Sequence, residues 1–168
     1  MITQAIVLLF FPALMAIAAS SDLLTMTISN KIPLALMAGF AVLALALRLD
    51  MATIAAHLGA CALILIVCFG MFARGWIGGG DAKLAAATAL WLGWAHLIDY
   101  LLAAAIFGGA LTLLLLMFRK FPLPASLLRL EWLERLHRPT SGIPYGLALA
   151  AAAMVVFPET MWMKALAA

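Results

Sequence analysis

The chain has 168 residues, of which 68% are hydrophobic and only 10% are charged, with a formal net charge of +3. A soluble domain is typically nearer half apolar and a quarter charged, so this composition excludes an ordinary water-soluble globular protein. A core this small cannot hide so much apolar surface from water, whereas lipid can. The composition therefore predicts an all-α, polytopic membrane protein that forms a single domain over residues 1–168.

Charged residues are few, and they separate six windows that contain no ionised side chain. The windows cover residues 1–21, 32–47, 51–73, 84–98, 100–118 and 140–158. A membrane-crossing helix needs roughly 17–25 apolar residues, so four windows fit and two are short. The stretch 84–118 is too long for one helix, and Asp99, flanked by Trp94, His96 and Tyr100, is interpreted as the interfacial turn that divides it. We predict six transmembrane helices, the first a permanent span because no basic segment precedes its long apolar run.

The basic residues orient these helices, because cytoplasmic loops contain an excess of Lys and Arg. Since consecutive spans alternate in direction, the segments 21–31, 74–83 and 119–139 share one side of the membrane. That side holds eight of the ten basic residues, namely Lys31, Arg74, Lys83, Arg119, Lys120, Arg129, Arg135 and Arg138. The other side holds only Arg48 and Lys164. We predict that the first side is cytoplasmic and that both termini lie outside.

The largest predicted loop contains an amphipathic segment, residues 125–138, between the fifth and sixth spans. Leu128, Trp132 and Leu136 line one helical face, and Glu131, Glu134, Arg135 and Arg138 lie on the other. This pattern predicts a cytoplasmic interfacial helix along the membrane surface, with docking of a partner protein as the alternative. The basic residues indicate membrane lipids as neighbours and no nucleic acid, because no soluble basic face is available to hold a duplex.

Two aspartates stand at span ends on the predicted cytoplasmic side: Asp22 follows the first window and Asp81 precedes the fourth. The remaining acidic residues are assigned to outside segments or to the surface helix: Asp50, Asp99, Glu159, Glu131 and Glu134. Ionisable groups near hydrocarbon are costly and are usually paired or functional. Two close carboxylates share one proton, and an aspartyl protease uses such a pair to activate water and polarise a carbonyl.

Glycines and a proline stand beside these aspartates. Gly78, Gly79 and Gly80 carry no Cβ, so they leave room for an extended substrate strand, although a flexible turn or a helix-packing surface would explain them equally well. The segment SGIPYG, residues 141–146, opens the sixth span. Pro144 can fix the start of that helix and Tyr145 offers a hydroxyl, but by itself the segment is an ordinary helix start.

Together these motifs resemble the type IV prepilin leader peptidase family, within the wider GxGD class of intramembrane aspartyl proteases. GGGDAKL, residues 78–84, is similar to the family's GxGDxKL element. Asp22 followed by Ile28, Ser29 and Asn30 resembles the first-aspartate segment, although the family usually has Pro where Ser29 stands and often has a basic residue in this stretch. PYG, residues 144–146, resembles the motif that opens the last helix.

The resemblance implies that Asp22 and Asp81 form the catalytic dyad, without a metal or a cofactor. It implies site-shaping, substrate-binding or supporting roles for Gly78, Gly79, Gly80, Lys83, Asn30, Pro144, Tyr145 and Gly146. The substrates would be prepilins or pseudopilins, cut at the cytoplasmic face of the bacterial inner membrane, with both termini periplasmic. The chain has no CxxC motif, which larger members carry in connection with N-methylation. It resembles the compact members that serve tight-adherence (Flp-type) pili, so we predict a peptidase without methyltransferase activity.

Two other functions stay open from the residues: a small proton- or ion-coupled transporter, and a scaffold subunit in pilus assembly. A transporter predicts carboxylates near the middle of the bilayer, whereas Asp22 and Asp81 stand at span ends. Cys61 and Cys68 on the third helix are interpreted as apolar packing, and no HExxH metalloprotease motif is present. The sequence predicts no particular oligomeric state.

Overall fold

The computed structural model describes residues 2–124, 127 and 129–167, and that part of the chain is all-α, as predicted. Its helices are α1 Ile2–Thr25, α2 Lys31–Ala46, α3 Met51–Ala73, α4 Gly79–Leu92, α5 Leu97–Phe118, α6 Glu131–His137, α7 Tyr145–Val156 and α8 Met161–Ala167. Short 3-10 turns, Trp94–His96 and Phe157–Glu159, precede α5 and α8. The six predicted spans correspond to α1–α5 and α7.

Two helical stretches, Met51–Ala73 and Trp94–Phe118, are long and apolar enough to cross a bilayer. Shorter apolar helical stretches cover Leu9–Thr25, Lys31–Ala46 and Tyr145–Glu159. The long helices expose large apolar side chains, for example Ile66 of α3 at 70% and Ile106 of α5 at 67%. Extended apolar surfaces of this kind fit lipid better than water. These features suit a membrane protein, while the six-span topology stays a prediction.

The stretch 84–118 divides earlier than predicted. α4 ends at Leu92, and Gly93 has φ +65°, a left-handed conformation that ends the helix without the steric cost a Cβ would bring. Asp99 lies in the first turn of α5, so the predicted turn at Asp99 is wrong. A carboxylate is favourable in a first helical turn because it faces the positive end of the helix dipole. The charge therefore marks a helix start, and the break itself lies at Gly93.

Contacts between helix ends show which of them meet. The backbone N–H of Gly146, in the first turn of α7, donates to Asp22 Oδ2 in the last turn of α1 at 2.7 Å. Lys83 Nζ in α4 donates to Asn30 Oδ1 just before α2 at 2.9 Å. We name this part of the bundle, which also holds Asp81, the aspartate end. α1 thus ends where α2, α4 and α7 begin, which is the arrangement expected when successive helices alternate in direction.

Aromatic side chains and one histidine hold the opposite end together. Trp91 Nε1 donates to the Leu36 carbonyl at 2.9 Å, and Trp162 Nε1 donates to the Trp91 carbonyl at 2.7 Å. A ring nitrogen of buried His57 lies 2.7 Å from the Leu90 carbonyl. Since these polar groups are buried and bonded, they join α2, α3, α4 and α8 without an unpaired-group penalty. The end of α4 that lies away from Asp81 is thereby fixed to its neighbouring helices.

The predicted interfacial helix is present over a shorter range, as α6 Glu131–His137. Leu136 on its apolar face is buried, whereas Leu128, predicted on the same face, lies outside the described residues. Arg138 pairs with Glu134 at 2.7 Å on the other face. The position of α6 along a membrane surface stays a prediction.

Candidate active site

Asp22 and Asp81 line one cavity of about 250 Å³ at the aspartate end. α1 supplies Asp22 from its last turn, and α4 supplies Asp81 from its first turn. The other lining residues come from the adjoining loops and the start of α4: Met26, Thr27, Ile28, Gly78, Gly79 and Gly80. Both carboxylates lie beyond the charge-free windows 1–21 and 84–98, that is, outside the predicted spans. The structure thus brings the two predicted carboxylates together from distant parts of the chain.

Asp22 is buried, with 5% of its surface exposed, and is held by a backbone donor. Burial disfavours the charged form and raises the pKa of Asp22 above its ordinary value, and the hydrogen bond from the Gly146 N–H offsets part of this rise. A carboxylate oxygen that accepts a backbone N–H at 2.7 Å makes a charge-assisted hydrogen bond. This donor favours the ionised form of Asp22.

Asp81 has fewer hydrogen-bond donors to stabilise a negative charge on its carboxylate. Its Oδ1 is buried and has no hydrogen-bond partner within the described part of the chain. Burial and the neighbouring charge of Asp22 raise the pKa of Asp81 to about 6, although the Gly78 backbone lowers it. A buried carboxylate oxygen without a donor is costly when ionised and cheaper when protonated. Of the two carboxylates, Asp81 therefore keeps a proton to the higher pH and Asp22 ionises first.

Two glycines allow helices to approach the loop that follows α1. A Cβ on Gly146 would lie 2.6 Å from Ile28 Cδ1 and 2.8 Å from Asp22 Oδ2. A Cβ on Gly80 would lie 3.1 Å from Ile28 Cβ. Because neither glycine has a side chain, α4 and α7 both pack directly against Ile28. In the sequence, Ile28 is visible only as part of the first-aspartate motif. Its position in the lining of the cavity becomes apparent only in the structure.

Lys83 and Asn30 meet each other but do not line the aspartate cavity. They stand at one end of a neighbouring groove of about 410 Å³ between α2, α3 and α4. The rest of the groove is apolar and is lined by Pro33, Leu34, Met37, Cys61, Leu65, Ala86 and Ala87. The Lys83–Asn30 hydrogen bond ties the loop before α2 to the helix that carries Asp81. The two residues therefore support the loop and the helix that line the aspartate cavity without lining it themselves.

Pro144 and Tyr145 position the start of α7. Pro144 is buried immediately before the helix, and Tyr145 is 38% exposed. The Tyr145 hydroxyl lies 3.2 Å from Thr112 Oγ1, and its ring is so close to Gly108 that a Cβ there would lie 3.0 Å from Tyr145 Cε1. These contacts pack the first turn of α7 against α5. They place Gly146 where its N–H reaches Asp22.

The two cysteines are free and partly buried. Both pack against a cluster of small and aliphatic side chains that includes Ala60 and Ile64. Among the described residues, no group of three or more His, Cys, Asp or Glu side chains is arranged to hold a metal ion.

A comparison with protein families matches residues 9–113 to the model of the type IV leader peptidase family. The matched residues include Asp22, Asn30, the three glycines before Asp81, and Lys83. Neither a curated protein nor a solved structure shows a significant match to the chain. The match ends within α5, so the Gly146 N–H that binds Asp22 comes from outside the matched region.

Proposed function

The chain belongs to the type IV leader peptidase family, and on that premise we propose that it is an aspartyl endopeptidase with Asp22 and Asp81 as its catalytic pair. Membership identifies a leader-peptidase-like protease, and prepilins are the substrates that the family implies. We propose further that the substrates are Flp-like prepilins or pseudopilins. The observation that carries the proposal is the shared cavity, in which Asp22 is bonded to the Gly146 N–H and one buried oxygen of Asp81 has no hydrogen-bond partner among the described residues.

In the proposed reaction, ionised Asp22 takes a proton from a water molecule whose oxygen attacks the scissile carbonyl carbon. Protonated Asp81 donates its proton to the carbonyl oxygen, which gives a neutral tetrahedral diol. When the C–N bond breaks, Asp22 returns its proton to the leaving nitrogen and a diol hydroxyl returns a proton to Asp81. One water is consumed, and the pair ends with the single proton it began with.

The surroundings of the cavity suit a substrate that arrives as an extended strand. Gly78 is exposed at the edge of the cavity, and a Cβ there would lie 2.9 Å from Asp81 Oδ2, so its absence leaves this carboxylate open on that side. A precursor whose apolar helix stays in lipid would present the strand before that helix at the aspartate end. Cleavage there would separate the leader from the apolar helix.

The distribution of basic residues supports a cytoplasmic site. Lys31 and Lys83 lie in the helices that begin at the aspartate end, and Arg119 and Lys120 follow the helix that ends there. Only Arg48 and Lys164 of the ten basic residues belong to the opposite end. Since Lys and Arg accumulate on the cytoplasmic side, we place the aspartate end at the cytoplasmic face of the inner membrane and both termini in the periplasm.

Co-expression with a prepilin-like precursor, a short basic leader followed by an apolar helix, tests the proposal. The wild-type chain is expected to remove the leader, seen as a mobility shift on a gel. Asp22→Asn and Asp81→Asn are each expected to abolish the shift while remaining in the membrane fraction, because each removes one proton-transfer group. Asp99→Asn is the matched control, since the Asp99 side chain is 67% exposed at the opposite end, and it should process normally.

The same two variants separate the protease from the alternative functions. A scaffold subunit would support pilus assembly with either substitution, and full processing by Asp22→Asn or Asp81→Asn would contradict the catalytic pair. A proton-coupled transporter would show proton flux in vesicles that depends on the two aspartates. Both carboxylates lie at one end of the bundle, where a proton taken up has not crossed the membrane, and this position favours the protease.

A further inference from the structure

The Arg119 side chain donates hydrogen bonds to three backbone carbonyls. Its Nε donates to the Leu136 carbonyl at 2.8 Å, and its Nη2 donates to the Ser141 and Gly142 carbonyls at 3.0 and 2.8 Å. A guanidinium suits this task because its planar donors point in fixed directions and stay charged. Three charge-assisted bonds from one partly buried side chain hold the last turn of α6 and the segment that follows it against the end of α5.

The chain between these carbonyls and the aspartate cavity is short and stiff. Only Ile143, Pro144 and Tyr145 separate Gly142 from Gly146. Pro144 has φ −73° and ψ 79°, and the Tyr145 N–H donates to the Ile143 carbonyl at 2.8 Å, which makes an inverse γ-turn. The proline ring fixes φ at its own position. The place of Gly142 therefore largely determines the place of the Gly146 N–H.

We propose that Arg119 is a positioning residue for Asp22: by holding Ser141 and Gly142 it sets the first turn of α7 so that the Gly146 N–H meets the Asp22 carboxylate. This inference rests on the proposed function, in which that carboxylate activates water. It gives a role in catalysis to a residue that touches neither carboxylate and lies outside the family match.

A second arginine, Arg135 in α6, links that helix to α1. Arg135 Nη1 donates to the Leu24 carbonyl at 2.9 Å, and Leu24 stands two residues after Asp22 in α1. α6 is thus joined to α1 through Arg135, and to α5 through the Leu136 carbonyl and Arg119. Arg135 thereby fixes α6, which Arg119 also holds, to the helix that carries Asp22.

Steady-state cleavage by the purified full chain in lipid vesicles tests this role across a range of pH. Arg119→Gln is expected to lower kcat at least about tenfold, the effect of misplacing one charge-assisted hydrogen bond. The acidic limb of kcat/KM is expected to move to higher pH, because Asp22 without its donor takes up a proton more readily. Arg119→Lys keeps the charge and can reach one carbonyl, so both effects should be intermediate. Arg138→Gln, which removes a cation from the same loop and only an exposed pair with Glu134, should match wild type.

The outcomes divide cleanly. If Arg119→Gln yields too little folded protein, Arg119→Lys decides the question by the position of its acidic limb. A lowered yield of folded protein with the acidic limb of kcat/KM unchanged would show that Arg119 has only a structural role, and this would overturn the proposal. A kcat within about twofold of wild type would overturn it as well. If the wild-type chain cleaves and the Arg119 variants behave like Arg138→Gln, only this inference fails. If the wild-type chain does not cleave at all, the proposed function fails and the inference fails with it.

Discussion

Asp22 and Asp81 have the same side chain but different surroundings, and this difference is what a general acid and a general base require. Asp22 receives a backbone N–H from Gly146, whereas one buried oxygen of Asp81 receives no donor within the described residues. The negative charge of Asp22 further disfavours a second charge on its neighbour. When the pair holds a single proton, these surroundings therefore favour that proton on Asp81 over Asp22.

Replacing Asp81 by Asn should stabilise the protein at neutral pH while abolishing cleavage. The folded pKa of Asp81 is raised from 3.8 to about 6, so folding takes up a proton and stability falls as pH rises from about 4 to about 6. Asp81→Asn removes this loss, because the amide stays neutral. We expect its Tm, measured by tryptophan fluorescence, to exceed that of wild type at about pH 7.5, and the difference to shrink at about pH 4.5.

Asp99→Asn changes no buried carboxylate and serves as the control for that measurement. Its Tm should stay close to that of wild type at both values of pH. An Asp81→Asn variant less stable than wild type at neutral pH would show that the Asp81 charge is compensated in the folded protein, contrary to the arrangement described above.

Single residues also show how far sequence reasoning reaches into the site. Asp22, Asp81 and the three glycines were identifiable because side chains and their spacing carry the motifs. The contribution of Gly146 was not, since its donor is a backbone N–H, which every residue but proline possesses. Arg119 entered only as a charge that orients the chain, because its acceptors are backbone carbonyls 17 to 23 positions later. Lys83 and Asn30 were predicted site residues, yet only the fold shows that they bind each other beside the cavity.

Helix boundaries followed the charges where charges flank a helix. The window 51–73 coincides with α3, and the window 32–47 differs from α2 by one residue at each end. The charges do not predict the break between α4 and α5, because the helix ends there through the backbone conformation of Gly93 and not at a charged residue. A window free of charge also cannot show that α4 begins before Asp81, since the first turn of a helix accepts a carboxylate.

Arg48→Gly should stabilise the end of α2. Arg48 has φ 52°, and the hydrogen bonds Arg48 N–H to Leu45 and Leu49 N–H to Ala44 form a Schellman motif around it. A side chain in this conformation costs about 1 kcal/mol, which glycine avoids. Thermal unfolding should therefore show a stability gain of about that size, reduced somewhat by the greater freedom of glycine in the unfolded chain.

The neighbouring Leu47 supplies the control for Arg48→Gly. Leu47 is exposed and has φ −88°, so Leu47→Gly gains nothing from backbone relief and should lower stability by about 0.5–1 kcal/mol. If both glycine variants lower the free energy of unfolding equally, the left-handed conformation of Arg48 does not destabilise the protein as expected.

In the whole molecule, alternation of the helices gathers the ends of α1, α3 and α5 with the starts of α2, α4 and α7. The chemistry of the site is built entirely from these ends and the loops between them. Sequence reasoning could predict this grouping because direction must reverse at each crossing. It could not predict which helices touch, since apolar faces of similar composition have no unique partner.

The orientation of the bundle can be measured with introduced cysteines, in a chain whose native thiols are removed by Cys61→Ala and Cys68→Ala. In intact cells, an impermeant thiol reagent should label Arg48→Cys, because position 48 belongs to the predicted periplasmic end. It should label Lys120→Cys only after the membrane is opened. Both positions are exposed on the protein, so access depends on the side of the membrane. The reverse pattern would place the aspartate end outside.

The catalytic pair itself is tested most directly by the intact mass of a precursor incubated with the purified chain in lipid vesicles. The wild-type chain should release a leader cut off just before the apolar helix of the precursor, with the addition of one water. Asp22→Asn and Asp81→Asn, folded to the same extent, should leave the precursor mass unchanged. Release of the same leader by either variant would contradict the assignment of Asp22 and Asp81 as the residues that cleave it.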